Sequence, residues 1–485
     1  MSQTIITLVE SGSERKLNAE QGELLSTVLT RNNAHIDMPC GGRGTCGACT
    51  VQVNGVSCCA CQTKVDGDML VELSRGIENI AMGTAAKKAS NGNRMYTDYG
   101  IAVDIGTTTI CVSLVNSAGR MDAVSGKNPQ SRFGADVINR IQKYMEGEPL
   151  NTCVREALSD MIAELCQKNG ISSEAVDAAV ITGNTAMLYL FAGQNPEALS
   201  HAPFEADRLF GEYIDANELG LPLSQGAKVY LTRCVSAFVG GDMTTAIVAS
   251  GMVTQNDSAL LADIGTNGEI ALWRDGKLIC CSTAAGPAFE GAGIRCGVYG
   301  IKGAIDHVWH EDKELRISTI ANAPETGMCG SGIIDAMAVM LELEIIDETG
   351  AFQEDDDFYP IKNDIGIDAK DVRQIQLAKG SVRAGIETLL DVTGGKKEDI
   401  QTFYIAGGFG NFLKLESAAK IGLVPTELLH CAKSIGNAAH TGAESFLQDK
   451  SLVDFSDAFA RNAETLPLDA NPVFAENYMR FMMFE

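Results

Sequence analysis

The hydrophobic pattern of the chain states one phrase twice. Ile101-Ala-Val-Asp104-Ile-Gly106-Thr107-Thr108-Thr109 runs into a second apolar stretch at 110–115, and Leu261-Ala-Asp263-Ile-Gly265-Thr266-Asn267-Gly268-Glu269 runs into another at 270–273. Each copy predicts a buried strand ending in an acid and a Gly-Thr turn, then a returning strand: a β-hairpin with a polar tip. One such tip alone is an ordinary tight turn. Two of them, 159 residues apart, imply two related half-domains whose loops oppose each other across a cleft, with closure as the natural motion.

The tips have a definite chemistry. Gly106 and Gly265 let the backbone approach a ligand, and the amides that follow, with Thr107, Thr108, Thr266 and Asn267, can donate to phosphate oxygens. The carboxylates of Asp104 and Asp263 can hold Mg²⁺ through water.

Residues 1–76 predict a separate unit. Alternation over 4–9 gives a strand, Ser11-Gly12-Ser13 a turn and 24–29 helical spacing, while 50–53 ends at the hairpin signal Asn54-Gly55. Between helix and hairpin lies Cys40-Gly-Gly-Arg-Gly-Thr-Cys46-Gly-Ala-Cys49, with Cys58, Cys59 and Cys61 competing to supply a fourth thiolate. Three thiolates in a glycine-rich loop suit an iron-sulfur cluster, whose sulfurs accept loop amides, better than structural zinc, which favours separated Cys-x-x-Cys knuckles. Residues 77–98 read as a flexible linker rich in Ala, Gly, Ser, Asn and Lys, spanning roughly 25 Å as a coil.

Further polar turns punctuate the large unit. Asn128 leads a turn into a helix with Asp136 near its start, and Val180-Ile-Thr-Gly183-Asn184-Thr185 passes from strand to helix, where Asn184 and Thr185 either reach a phosphate or cap. A helix over 242–250 precedes the second hairpin. The glycine-dense stretch from Ala285 to Gly293, which includes Glu290, is expected to face the cleft; Cys329-Gly-Ser331-Gly332 opens an apolar helix. Residues 354–357 read as a solvated acidic loop, and Phe403-Tyr-Ile-Ala-Gly407-Gly408-Phe-Gly-Asn411 ends a buried strand in paired glycines suited to an adenosine.

Composition narrows the class. A net charge of -25 over 485 residues argues against a nucleic-acid surface or an anionic membrane. No secretory leader and no uncharged stretch fit to span a bilayer are apparent, so a cytoplasmic protein is expected, and six of fifteen cysteines between Cys40 and Cys61 point to metal rather than disulfides.

The first unit resembles the 2Fe-2S ferredoxins of β-grasp fold, with a loop spacing of x5 then x2 rather than the plant-type x4 then x2. Ala60-Cys61-Gln62-Thr63 matches the strand-borne Ala-Cys-Gln of that family, so the resemblance implies Cys40, Cys46, Cys49 and Cys61 as ligands. The two Asp-x-Gly-Thr hairpins, the Gly-Asn-Thr turn and the Ala-Gly-Gly loop resemble the actin-like, ribonuclease H-like ATPases; no Walker motif occurs. Together the set resembles the reductive activators of corrinoid-dependent methyltransferases.

That resemblance implies a ferredoxin domain (1–76), the linker (77–98) and two actin-like lobes (99–255 and 256–485). It implies ATP on Gly106, Thr107, Thr108, Gly265, Thr266, Asn267, Gly407 and Gly408, and Mg²⁺ served by Asp104 and Asp263, with Asp263 also the candidate to orient the attacking water. In better-known members a further domain separates ferredoxin from ATPase; here only the linker does. The expected activity is ATP-dependent reduction of a Co(II) corrinoid to Co(I), with a ferredoxin or flavodoxin as donor and a homodimer left open. Competing readings are a small-molecule kinase carrying a regulatory cluster, a redox-sensing nucleotide binder, and an electron-donating activator of a radical dehydratase, whose usual shared 4Fe-4S cluster this cysteine pattern does not match.

Overall fold

Alternating apolar positions open the chain as two strands, Gln3–Glu10 and Ser13–Glu20, paired antiparallel from Gln3 opposite Glu20 to Glu10 opposite Ser13. The computed structural model describes residues 3–10, 13–32, 34, 36, 49–73, 93–312, 314–354, 357–408 and 412–484. Two compact units result, Met1–Ile77 with Pro129–Leu150, and Glu78–Asn128 with Asn151–Glu485.

In the first unit a five-stranded sheet runs in the order Ser13–Glu20, Gln3–Glu10, Met69–Leu73, Thr50–Val53, Val56–Cys59, with Gln3–Glu10 and Met69–Leu73 parallel. Helix Leu25–Arg31 buries Leu25, Val28 and Leu29 in a core shared with Ile6, Leu8, Val51 and Val71. This is the β-grasp arrangement. The hairpin forms at Asn54-Gly55, whose φ values of 50° and 81° supply the paired left-handed turn that matches strand twist. Pro129–Leu150 carries the helix Val137–Met145, capped by Asp136, which accepts the Asn139 amide at 2.8 Å.

The second unit builds one plan twice. In its first sheet Tyr99–Ile105, Thr109–Asn116 and Gly119–Lys127 form an antiparallel meander; Val176–Gly183 and Lys228–Leu231 extend it in parallel, and Glu212–Asp215 closes the edge. The second sheet repeats this with the meander Ala259–Ile264, Gly268–Arg274, Lys277–Thr283 and the parallel strands Thr402–Ala406 and Ala432–Gly436, while Glu464–Thr465 lies at the far edge. Ile101, Ala102, Val103, Leu260, Leu261 and Ala262 are all buried, as strands covered on both faces require. Two small sheets are inserted into the second lobe, Ala304–Glu311 with Glu314–Thr319 and Gly327–Met328, and the pair Phe358–Lys362 and Ile365–Asp368. The 25-residue helix Ala369–Thr393 then starts at a reciprocal cap: Asp368 accepts the amides of Lys370 and Asp371, and the Asp371 carboxylate accepts the Asp368 amide at 3.1 Å.

Helices tie the lobes together. Ala438–Gln448, entered from a strand of the second sheet, packs on the strands of the first sheet and against helix Gly241–Ser250. Ser113 donates to Glu444 at 2.7 Å, Arg120 bonds the same carboxylate at 3.0 Å, and His440 Nε2 lies 2.8 Å from the Ser113 hydroxyl. Burial alone would raise the Glu444 carboxyl, but His440 and Arg120 outweigh it and hold it at about 2. Of the expected linker 77–98, residues 77–92 lie outside the described residues. Its last part is pinned to this helix: the Met95 amide donates to Leu447 O at 2.9 Å and Tyr96 is buried.

The two helices cross where Gly442 has no side chain. A Cβ there would sit 2.1 Å from the carbonyl oxygen of Thr245. In Gly442→Ala the overpacking cost of about 1–3 kcal/mol outweighs the helix propensity gained. The calorimetric midpoint of the variant is expected several degrees below that of the parent chain; an unchanged midpoint would show that the helices separate freely.

Candidate functional site

The two meanders bring their tips to one cavity of about 400 Å³. Strand register decides what points into it. Asp104 pairs with Cys111 across the first hairpin and Asp263 with Glu269 across the second, and directly opposed residues share a face. The duplicated fold thus places Asp104 and Asp263 in equivalent positions, and Glu269 beside Asp263.

Each tip is held by its own backbone. Gly106 N donates to Thr109 O at 2.9 Å, and a Cβ on Gly106 would lie 2.7 Å from that oxygen, so glycine is required. Asn128 locks the tip from outside, its side-chain amide donating to Gly106 O at 2.8 Å and its backbone amide to Thr108 O at 2.8 Å. The second tip is one residue shorter and closes with Gly265 N on Asn267 O at 3.2 Å. All eight residues read as nucleotide ligands line the cavity: Gly106, Thr107, Thr108, Gly265, Thr266, Asn267, Gly407 and Gly408. Gly407 has φ +124° and approaches Ile264 O so closely that a Cβ would lie 2.3 Å away, so it brings its strand end against Asp263-Ile264. Gly408 faces open space. Phe409 to Asn411 lie outside the described residues.

Three strand-to-helix junctions complete the wall. Asn184 caps helix Thr185–Ala192 through the Met187 amide at 3.0 Å while its NH₂ donates to Thr107 Oγ1 at 3.0 Å, so it is both cap and site residue. Asn437 does the same for the helix Ala438–Gln448, accepting the His440 amide at 2.9 Å and donating to Asp104 Oδ2 at 2.9 Å. Asp242 lies in the first turn of helix Gly241–Ser250. Reading the sequence did not assign Asp242, Glu269 or Asn437 to the site. The signal for Asn437 was there: Gly436-Asn437 repeats Gly183-Asn184 at the end of a strand.

Six carboxylates therefore line one cavity: Asp104, Asp242, Asp263, Glu269, Glu290 and Asp306. Burial, then the neighbouring Asp104 and Asp263, push Asp242 up to about 8. Burial, then Asp104 and Glu290, push Asp263 up to about 7. Glu269 is raised by burial and by Asp242, although the Gly240 amide donates to it at 3.2 Å. Asp104 is raised by burial and partly relieved by Asn437. Crowded oxygen donors that repel one another are surroundings that a divalent cation relieves, although among the described residues no group of three or more His, Cys, Asp or Glu side chains is disposed to hold a metal ion directly.

In the first unit Cys49 and Cys61 are buried neighbours, the Cys61 amide donating to Cys49 Sγ at 3.5 Å, and Gln62 Nε2 lies 3.6 Å from Cys61 Sγ. An amide aimed at a thiol sulfur fits a metal thiolate. Cys58 and Cys59 lie on the strand Val56–Cys59, and Cys40 and Cys46 lie outside the described residues.

Three family models match the chain. Residues 8–74 match the 2Fe-2S iron-sulfur cluster binding domain, 99–255 the RACo middle region, and 257–485 the C-terminal ASKHA domain of RACo. RamQ, a corrinoid activation enzyme of Eubacterium limosum, is 34% identical over 418 residues, 80% of this chain and 70% of that protein. The chain belongs to the RACo family of corrinoid activators. Another RACo relative, the [Co(II) methylated amine-specific corrinoid protein] reductase of Methanosarcina barkeri, is 26% identical over 402 residues, 73% of this chain and 71% of that one. The solved structure of a reductive activator for corrinoid, iron-sulfur protein superposes with a TM-score of 0.75 at 24% identity, covering 99% of this chain and 98% of that one, a likeness of fold. The ferredoxin-type module and the actin-like lobes expected from the sequence are therefore both present.

The crowded carboxylates give a pH signature. The folded chain raises Asp242 and Asp263 from 3.8 to about 8 and about 7. Their stabilising contribution is full below the unfolded value and is lost as pH rises through the folded values. Asp242→Asn removes one titrating group, so its thermal midpoint relative to the parent should rise from about pH 4 to about pH 8 and level off above that in metal-free buffer. A difference that does not change with pH would contradict the assignment.

Proposed function

We propose that the chain restores the Co(I) state of a corrinoid protein, using ATP bound between the twin hairpins to drive one electron from its ferredoxin-type module to Co(II). The observation that carries this reading is the convergence of donors from both lobes on one carboxylate-lined cavity, in a chain that also bears the cysteine module. Uphill transfer needs coupling, because each ~59 mV of opposing potential costs about tenfold in a one-electron equilibrium. A 2Fe-2S cluster on Cys40, Cys46, Cys49 and Cys61 would supply a one-electron carrier.

The residues divide the work as follows. Thr107, Thr108, Thr266, Asn267 and the adjoining amides bind phosphate oxygens, so one triphosphate bridges the lobes and draws them together. Gly408 leaves room for the adenosine beside Gly407. Asp104, Asp242 and Asp263 would hold Mg²⁺, which would relieve their mutual repulsion. Asp263, which lines the cavity beside the second tip, is suited to orient the attacking water. Hydrolysis then separates the lobes and makes the sequence irreversible. Differential affinity of the closed state for the corrinoid partner is what converts closure into electron transfer.

The test is spectroscopic. Reduced full-length chain is mixed with a Co(II) corrinoid protein, and Co(I) absorbance should appear only with ATP, Mg²⁺ and reductant together. Thr107→Ala/Thr266→Ala should slow it by at least about tenfold, the loss of one to two phosphate hydrogen bonds, while the visible spectrum of the module stays intact. Wild-type rates in that double variant would defeat the coupling. Separately, Cys61→Ser should lower iron content and visible absorbance; full retention of both would return the fourth ligand to Cys58 or Cys59.

A further inference from the structure

Glu290 gathers hydrogen-bond donors from both hairpin tips. Its carboxylate accepts the Thr266 amide at 3.1 Å and the Thr266 hydroxyl at 2.9 and 3.0 Å, and it accepts the Thr108 hydroxyl from the other lobe in a very short bond. The two hydroxyls lie 3.2 Å apart. These are phosphate donors of both tips, gathered on one internal anion.

The turn that carries Glu290 is fixed at both ends. Gly286 N donates to Thr266 O at 2.9 Å, and Gly286 and Gly291 have φ of 77° and 80°. Phe289 is buried, and helix Gly330–Glu342 comes so close that a Cβ on Gly330 would lie 2.0 Å from Phe289 O. Glu290 therefore sits on a rigid support. It is placed against Asp263, whose own carboxyl it helps to raise, so only the gathered donors make its position favourable.

We propose that Glu290 is a specificity-determining internal ligand that bridges Thr108 and Thr266 in the nucleotide-free chain and must be displaced by a triphosphate. The inference rests on the reading of the cleft as an ATP site. A nucleoside reaches the adenosine end without breaking these bonds. A triphosphate competes for all of them, so the carboxylate lowers affinity for the phosphate chain alone and reserves bridging of the tips for a ligand able to replace it.

The test measures affinity of the full-length holoprotein for MgATP and for adenosine by calorimetry. Glu290→Gln keeps the shape and removes the charge, so MgATP should bind about tenfold or more tightly, as expected when a charge-assisted bond becomes a neutral one, while adenosine binding stays unchanged. Glu269→Gln is the control, because it replaces a carboxyl of the same cavity with the same amide at a residue that bonds the Gly240 amide instead. Glu290→Asp, too short to span both threonines, should move in the same direction as Glu290→Gln and serves if that variant fails to fold. An unchanged or weaker MgATP affinity in the Glu290 variants, or an equal gain in Glu269→Gln, would overturn the proposal. A wild-type chain that binds MgATP without any such gain sinks the internal ligand alone; loss of all MgATP binding in every form sinks the ATP reading with it.

Discussion

The constraint on which the site depends is electrostatic repulsion among carboxylates that the fold forces together. Asp104 and Asp263 are equivalent positions of a duplicated strand, and strand register brings Glu269 to the same face as Asp263. Helix Gly241–Ser250 adds Asp242 from its first turn. Like charges in a site of reduced polarity cost on the order of a few kcal/mol unless protons or a cation neutralise them. Asp242 and Asp263, raised to about 8 and about 7, therefore retain protons near neutral pH, and a divalent cation is the kind of ligand that replaces them.

That local problem has a global consequence because its members belong to different lobes. Asp104 and Thr108 come from the first sheet, Asp263 and Thr266 from the second. Asn437 reaches back from the second lobe to Asp104, at the head of a helix that Glu444 anchors to Arg120 and Ser113 of the first. A ligand that changes charge at the tips acts directly on the relation between lobes, with no relay of intervening residues. A partner that distinguishes open from closed lobes would sense the nucleotide through this geometry.

Much of this was legible in the sequence for a physical reason. A strand with both faces buried writes an uninterrupted apolar run, and a tip that must approach a ligand writes Asp-x-Gly-Thr, so both hairpins stood out. The Asn54-Gly55 turn was equally plain, since few residue pairs adopt two positive φ values cheaply. Asp242 and Asn437 were not legible as site residues, because an acid or amide at a helix start already has a reason to be there. The second partner of Asn437 is Asp104, more than three hundred residues away in the chain, which periodicity does not encode. Glu290 was visible inside a glycine-rich loop, but its bonds to both threonines depend on how a turn supported by Gly330 is aimed. Only the fold shows that.

The central claim is that the cleft carboxylates hold protons which a cation-bound nucleotide replaces. Calorimetric titration of the full-length chain with pre-formed MgATP near neutral pH, repeated in buffers of different ionisation enthalpy, counts protons exchanged on binding. The account predicts a net release of protons, lost in a chain whose Asp242 and Asp263 are both replaced by Asn. A binding heat that is the same in every buffer, or a net uptake of protons, would contradict it.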